Sequence, residues 1–309
     1  MTEEIIKKIE NTIPKERLFH DEPMSRHTSF RIGGPADLLV VLNDEEELSD
    51  VMELMLTEKA EYMLIGNGSN LLVSDEGYPG IVLKLGGEFE DIKQDDEDEC
   101  LVHVGAARLM SGVSSYLTAK GLSGFEFASG IPGSIGGAVF MNAGAYGGEM
   151  KDIVNKVRVK MASKPYSSLT LKNSDMQFAY RSSRAQVGDM IILSLTMRLE
   201  KDDPEEIAKR ISELTARRNS KQPVNYPSAG STFKRPVGGY AAALIEEAGL
   251  KGYRAGGALV SEKHSGFVIN DGGATCEDVL SVMRHVRKTV FENSGIMLEP
   301  EVRLVNCKL

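Results

Sequence analysis

The chain has 309 residues, of which 41% are hydrophobic and 26% charged, a globular composition with length enough for two or three domains. Its 36 basic and 45 acidic residues give a net charge of −9, which argues against a broad surface for nucleic acid or anionic membranes. Three widely spaced cysteines, Cys100, Cys276 and Cys307, indicate neither a disulfide framework nor a zinc site, and they suit a reducing compartment.

The first third of the chain predicts a charged helix followed by a strand, a second helix and another strand. The N-terminal segment has no apolar centre like that of a signal peptide, and no run is long enough to span a membrane, so we expect a cytoplasmic protein without membrane insertion. Residues 37–42 (DLLVVL) predict a strand, and residues 44–59 show the apolar spacing of a helix with Asn43 or Asp44 as its N-cap. A short buried strand at residues 62–66 leads into a glycine loop.

From about residue 81 the pattern is rich in predicted strands. They lie at residues 81–85, 100–105, 156–161 and 190–200. The acidic run between the first two of these strands is interpreted as a solvated hairpin tip, since such runs are rarely metal sites. A helix of small residues then precedes a second glycine-rich segment, residues 130–148, in which seven of nineteen positions are glycine.

The two glycine loops raise the question of a bound ligand. Glycine at this density weakens helices and strands, so the second segment either forms tight turns or presents backbone N–H groups to an anion, usually a phosphate. In the first loop, Leu71 stands where a dinucleotide fingerprint has its third glycine, and no G-K-[ST] sequence occurs, so neither a Rossmann site nor a Walker A loop is predicted. Two glycine loops that match neither of these motifs suit the diphosphate of FAD or a similar dinucleotide.

The last third of the chain predicts a separate α/β lobe. A helix over residues 202–218 begins near Pro204, and a further helix is expected at about residues 239–248. A strong helix follows, with Thr275 and Asp278 as a capping box. The five histidines form no metal-binding spacing, so we expect no metal. The chain is thus predicted to be α+β, with divisions at residues 1–85, 86–203 and 204–309.

Six motifs in one order carry a resemblance across nearly the full chain. They are TSFRIGGPADLLV (28–40), IGNGSNLLV (65–73), GIPGSIGGAVFMNAGAYG (130–147), YRSS (180–183), SAGSTFKRP (228–236) and LEPEVRLV (298–305). Together they resemble the UDP-N-acetylenolpyruvoylglucosamine reductase family, and the short segment after the fifth motif resembles the branch that lacks a tyrosine-bearing substrate loop. The resemblance implies an FAD-binding fold of the vanillyl-alcohol oxidase and p-cresol methylhydroxylase type in two subdomains, followed by a substrate-binding domain.

The resemblance also implies the reaction and its residues. NADPH would reduce non-covalent FAD, which would reduce UDP-N-acetylglucosamine enolpyruvate to UDP-N-acetylmuramate for peptidoglycan. Ser231 would donate a proton, and Arg181 and Glu301 would act at the substrate carboxylate. The residues implied to bind FAD are Gly66, Asn67, Gly68, Ser69, Asn70, Gly130, Ile131, Pro132, Gly133, Ser134, Gly136, Gly137, Asn142 and Gly144. Those expected to bind substrate are Tyr180, Arg218, Lys221, Lys234 and Arg235.

Two other functions remain open from the sequence alone. One is another FAD-dependent oxidase of the same fold, in which His27 would attach the flavin covalently. The other is a non-catalytic protein that binds nucleotide sugars and has lost its flavin.

Overall fold

A computed structural model describes residues 3–163 and 166–309. Its α-helices are α1 (Glu3–Thr12), α2 (Glu45–Thr57), α3 (Met110–Ala119), α4 (Ile135–Phe140), α5 (Met150–Ile153), α6 (Pro204–Lys221), α7 (Ala241–Glu247) and α8 (Cys276–Ser294). Its first nine strands are β1 (Leu18–Pro23), β2 (Pro35–Leu42), β3 (Tyr62–Ile65), β4 (Leu71–Val73), β5 (Tyr78–Leu85), β6 (Ile92–Gln94), β7 (Leu101–Gly105), β8 (Leu122–Ser123) and β9 (Gly144–Ala145). The others are β10 (Gly148–Glu149), β11 (Val154–Met161), β12 (Ser168–Lys172), β13 (Met190–Arg198), β14 (Glu200–Lys201), β15 (Arg254–Ala255), β16 (Ala258–Val260), β17 (Val268–Asn270) and β18 (Arg303–Val305).

The chain forms two compact units, and each is built from separate stretches of sequence. Unit 1 contains Met1–Leu18, Val40–Asn67 and Leu83–Arg217. Unit 2 contains Phe19–Leu39, Gly68–Val82 and Arg218–Leu309. Strands β2 and β5 and helix α6 each run from one unit into the other. The predicted divisions at 1–85, 86–203 and 204–309 concern functional domains, and they stay a prediction.

Unit 1 is organised around a five-stranded sheet with the order β12-β11-β13-β7-β6. Its neighbouring strands are antiparallel, with Val157 of β11 opposite Leu195 of β13. Both of these side chains are buried, as is Val104 of β7. Alternate residues of each strand face the same side of the sheet, and these three side chains belong to its buried side. Helix α4 packs against β13 and β7, which places the second glycine-rich segment beside this sheet.

Helix α2 of unit 1 forms as its sequence predicts. Asp44 is the N-cap, and its carboxylate accepts a hydrogen bond from the N–H of Glu47 at 2.8 Å. The predicted apolar stripe, Leu48, Val51, Met52 and Met55, is buried. The following strand β3 is also present, but three of its four residues are only half-buried, so the expected degree of burial is wrong there.

The acidic run forms a hairpin tip as expected, but the partner of β7 is β6, a short strand within the run, and not the predicted strand at residues 81–85. One Asp95 carboxylate oxygen accepts hydrogen bonds from the N–H groups of Glu97 and Asp98, each at 3.0 Å. Its other oxygen lies 2.9 Å from Nε2 of His103 on β7. These contacts, the one with His103 first, lower the pKa of Asp95 to about 2. The carboxylate thus organises a turn.

Unit 2 is built around α8 and an apolar cluster that surrounds it. Thr275 and Asp278 form the predicted capping box, and the helix ends at Gly295, whose φ of 71° closes the C-terminus. The buried side chains of α8 pack against the three-stranded sheet β15-β16-β17. Phe30 and Leu72 join the same cluster from the N-terminal part of the chain.

The C-terminal strand closes unit 2 by a long-range pairing. Strand β18 pairs in parallel with β4, with Arg303 opposite Leu71 and Val305 opposite Val73. The loop that precedes β4 is thereby held next to the segment that precedes β18. Asn70 and Glu301, two predicted site residues, lie in these two segments.

Candidate active site

Gly66, at the start of the first glycine loop, lies beside the second loop within unit 1. A Cβ atom built on Gly66 would lie 2.2 Å from the hydroxyl oxygen of Ser134, so a larger residue would require this hydroxyl to move. The backbone of Leu109 and Ser134 forms a β-bridge, and the N–H of Met110 donates to the carbonyl of Gly133 at 3.0 Å. Predicted cofactor residues of the first and second loops are therefore neighbours.

Helix α4 begins within the second loop, and its first N–H groups have partners in the protein. The N–H of Ile135 donates to the carbonyl of Arg108 at 2.9 Å, and that of Gly136 donates to the carbonyl of Ala106 at 2.8 Å. A Cβ on Gly136 would lie 3.0 Å from the Cβ of Ala106. Packing against Ala106 is therefore tight at position 136, and contact of Gly136 with a cofactor stays a prediction.

Gly137 differs from its neighbour in a way that fits a bound group. A Cβ built on Gly137 would meet only the Ser134 hydroxyl oxygen, at 3.5 Å, which is an ordinary contact distance. The protein packing described for unit 1 thus gives no reason for glycine here, whereas a flat cofactor lying against the backbone would. This open backbone beside the joined loops fits FAD.

Two further glycines of the predicted cofactor set, Gly68 and Gly144, have structural reasons. Gly68 has a φ of 61°, and a Cβ there would lie 1.9 Å from the carbonyl oxygen of His27. A Cβ on Gly144 would lie 2.6 Å from the carbonyl oxygen of Gly148 in the β9–β10 hairpin. These two residues shape the loops, and any contact with the cofactor is a prediction.

Tyr180 and Arg181 form the tip of a tight turn in unit 1. Ala179 and Ser182 exchange two backbone hydrogen bonds, at 3.0 and 3.1 Å, and Arg181 has a φ of 53°. Non-glycine residues rarely adopt this backbone conformation, and they often do so at functional sites. The guanidinium of Arg181 lies 5.0 Å from the centre of the Tyr180 ring, which is half exposed.

Thr232, the residue that follows Ser231, brings Ser231 and Glu301 together within unit 2. Thr232 is buried, its N–H donates to the carbonyl of Gly266 at 2.8 Å, and its carbonyl accepts from the N–H of Glu301 at 2.8 Å. Its hydroxyl oxygen accepts a hydrogen bond from the N–H of Val268 at 3.0 Å. The exposed Ser231 therefore stands on a fixed support directly beside the Glu301 backbone.

Asn70 links the first glycine loop to this pair. Its Nδ2 donates to the carbonyl of Glu301 at 3.1 Å, and its own carbonyl accepts from the N–H of Arg303 at 2.9 Å. Unit 2 thus joins Asn70, a predicted cofactor residue, to Glu301 and Ser231, which are predicted catalytic residues. The sequence named these three residues as site residues, and their roles stay a prediction; it did not indicate Thr232, whose place in a run of small residues gives no signal.

The predicted cationic residues have different surroundings. Lys234 forms an ion pair with Glu299, with Nζ 3.2 Å from the carboxylate, and its side chain is 44% exposed. The guanidinium of Arg235 lies 4.5 Å from the centre of the exposed Tyr240 ring. Arg218 and Lys221 lie in the last turn of α6. All four lie close in sequence to Ser231, and their contact with substrate stays a prediction.

Other titratable groups bear on the alternatives. His27 Nε2 lies 2.9 Å from the Glu22 carboxylate in unit 2, so this ring nitrogen already has a protein partner. Among residues 3–163 and 166–309, no group of three histidine, cysteine or acidic side chains is arranged to hold a metal ion. The same part of the chain contains no helix with the length and apolar character needed to cross a membrane.

Comparison with known families defines the class of protein first. Residues 36–163 match the family model of an FAD binding domain, and residues 222–305 match that of the C-terminal domain of UDP-N-acetylenolpyruvoylglucosamine reductase. The predicted α+β fold class, an FAD-binding domain followed by a C-terminal domain, is confirmed.

Full-length relatives then give the family. The UDP-N-acetylenolpyruvoylglucosamine reductase of Caldanaerobacter subterraneus subsp. tengcongensis is 47% identical over 308 residues and covers 100% of both chains. That of Lachnoclostridium phytofermentans is 46% identical over 310 residues, 100% of this chain and 99% of the relative. The crystal structure of the Thermus caldophilus reductase matches with a TM-score of 0.78 at 34% identity, over 92% of this chain and 97% of that one. This chain belongs to the UDP-N-acetylenolpyruvoylglucosamine reductase family.

Proposed function

We propose that this chain is an FAD-dependent enzyme that reduces UDP-N-acetylglucosamine enolpyruvate to UDP-N-acetylmuramate for peptidoglycan synthesis, with NADPH as the hydride donor. The observation that carries the proposal is the similarity to reductases of this name over the full chain. NADPH and the sugar nucleotide are both charged and do not cross membranes unaided, so we place the reaction in the cytoplasm.

The joined glycine loops are the proposed cofactor site. Gly66 and Ser134 fix the two loops against each other, and Gly137 leaves its backbone open on one side. When bound there, FAD supplies the hydride chemistry of the reaction, with NADPH as its reductant. We assign the attachment as non-covalent, as the family resemblance implies.

The chain's own residues then supply the proton and the charge stabilisation. Hydride addition to the methylene carbon of the enol ether places negative charge on the neighbouring carbon and its carboxylate. The Arg181 guanidinium stabilises that charge more in the transition state than in the ground state. Ser231 Oγ donates the proton to the carbon beside the carboxylate, and Glu301 assists at the same group.

The cationic side chains near Ser231 are proposed to bind the diphosphate of the sugar nucleotide or of NADPH. An exposed ion pair such as Lys234–Glu299 contributes little stability, so Lys234 can exchange its partner for a phosphate at small cost. Arg218, Lys221 and Arg235 complete this basic set, and Tyr180 is assigned to the substrate beside Arg181.

An absorbance spectrum of the purified protein tests this function. A flavin spectrum that bleaches on anaerobic addition of NADPH and returns on addition of the enolpyruvyl sugar nucleotide supports the proposal. Return of the spectrum only with oxygen would favour an oxidase, and colour kept in an acid precipitate would indicate covalent flavin. A colourless protein that cannot be reconstituted with FAD would favour a non-catalytic nucleotide-sugar binder.

A further inference from the structure

Asn142 lies at the centre of a hydrogen-bond network next to the turn that carries Arg181. It is completely buried and has a φ of 42°, a conformation that asparagine tolerates better than most residues. Its Nδ2 donates to the carbonyl of Ala179 at 3.0 Å and to a carboxylate oxygen of Glu149 at 2.9 Å. Its Oδ1 accepts a hydrogen bond from the N–H of Lys151 at 3.0 Å. These protein contacts use both N–H donors of the amide and one of the two acceptor positions of its oxygen.

The Tyr180–Arg181 turn is therefore held on both sides. Asn142 binds the carbonyl that enters the turn, at Ala179, and Gln186 Nε2 donates to the Arg181 carbonyl at 2.9 Å. The same Gln186 nitrogen also donates to the carbonyl of Phe140 at 2.8 Å, at the end of α4. Since Arg181 has an unfavourable backbone conformation, contacts of this kind are needed to hold it there.

Glu149 adds a charge to the same network. Its carboxylate accepts a hydrogen bond from Asn142 and pairs with Lys151 Nζ at 2.8 Å. The pKa of Glu149 is lowered below its usual value, first by the Lys151 contact and then by Asn142 and the positive charge of Arg181. Geometry also places Arg181 near this carboxylate: its Nη2 lies 3.4 Å from the carbonyl of Gly144, the residue paired with Glu149 across the β9–β10 hairpin.

We infer that Asn142 and Glu149 are positioning residues that hold Arg181 in place for the reaction, the first through the turn backbone and the second through charge. This inference rests on the proposed function of Arg181. It gives Asn142 a role different from the cofactor contact implied by the sequence, because the described contacts of its side chain are with unit 1. Neither residue needs to touch FAD or substrate in order to act.

Glu149→Gln is the direct test, because it removes the charge and keeps an oxygen that can accept from Asn142. Loss of precise orientation should slow flavin reoxidation by the enolpyruvyl substrate about tenfold. Flavin reduction by NADPH and flavin content should stay within about twofold of wild type. Glu47→Gln is the matched control, since it removes the charge from the partly buried Arg17–Glu47 pair of unit 1, whose hydrogen bonds do not involve this turn, and it should leave both steps unchanged.

A double-mutant cycle distinguishes positioning from general destabilisation. In an Arg181→Lys background, Glu149→Gln should have little further effect on reoxidation, because residues that act through one group are not additive. Fully additive effects, or reoxidation of Glu149→Gln at the wild-type rate, would overturn the inference. Failure of the wild-type enzyme to be reoxidised by this substrate would instead reject the proposed function.

Asn142→Gly gives a second route if Glu149→Gln does not fold. Glycine adopts the positive φ without strain and removes the bond to Ala179. Reoxidation slowed by about tenfold or more, with FAD still bound, supports the inference. A wild-type rate in this variant would overturn it.

Discussion

Replacement of Gly137 by alanine separates the cofactor role of the second glycine loop from its structural role. The new Cβ would have no neighbour closer than the Ser134 hydroxyl oxygen at 3.5 Å, so the protein itself can accommodate it. Alanine also favours a helix over glycine, and Gly137 lies in α4. The free energy of unfolding of the FAD-free protein should therefore rise, by about 0.5–1 kcal/mol.

The effect on FAD should have the opposite sign. If the flavin or its diphosphate lies against this backbone, the methyl group overpacks the site at a cost of about 1–3 kcal/mol. The dissociation constant of FAD should then increase by about 5- to 150-fold. Titration of FAD into the FAD-free variant, followed by flavin fluorescence, measures this directly.

Gly136→Ala is the matched control for this measurement. Its Cβ would lie 3.0 Å from the Cβ and 3.2 Å from the carbonyl oxygen of Ala106, so the crowding is internal to unit 1. Crowding against Ala106 opposes the helix-propensity gain of alanine, so this variant should be less stable than Gly137→Ala by about 1 kcal/mol or more, with or without FAD. Unchanged FAD affinity in Gly137→Ala, together with the expected gain in stability, would refute the assignment of Gly137 to the cofactor site.

Three further predictions concern stability and kinetics. Burial lowers the pKa of His264 below 6.5; the charge of Lys251 is a smaller contribution in the same direction, and that of Glu246 opposes it. As the pH drops, the unfolded chain therefore takes up a proton at His264 before the folded protein does. The free energy of unfolding should fall as the pH drops below about 6.5. Urea unfolding at several pH values should show this fall, and His264→Gln should reduce it; an equal slope in both proteins would contradict it. Thr275→Ala should lower the free energy of unfolding by about 1 kcal/mol, because the capping hydrogen bond to the Asp278 N–H is lost, and a loss near zero in urea titrations would speak against this cap. NADPH and the sugar nucleotide should give parallel initial-rate lines if they use one site in turn, whereas intersecting lines without substrate inhibition would indicate separate sites.

Local sequence signals predicted much of the fold. The Asp44 cap, the apolar stripe of α2 and the capping box of α8 depend on residues within a few positions of one another, which is why they can be read from sequence. The acidic hairpin tip was predicted in the same way. By contrast, the parallel pairing of β18 with β4 joins residues more than 200 positions apart, and no local pattern indicates it.

The site was predicted through its motifs more than through its contacts. Ser231, Arg181 and Glu301 were identified by resemblance, whereas the supporting role of Thr232 required the backbone bonds to Gly266 and Glu301. Tyr146 shows a similar limit, since it occupies a positive-φ turn position of the β9–β10 hairpin, where local rules expect asparagine or glycine.

Stopped-flow absorbance of wild-type enzyme and Ser231→Ala under anaerobic conditions tests the central claim most directly. NADPH should bleach the flavin at similar rates in both proteins, because that step needs no proton from Ser231. The enolpyruvyl sugar nucleotide should restore the absorbance in wild type and do so about 10²–10⁴-fold more slowly in the variant, a barrier increase of roughly 3–5 kcal/mol. Reoxidation of Ser231→Ala at the wild-type rate, or no reoxidation of wild type by this substrate, would contradict the account.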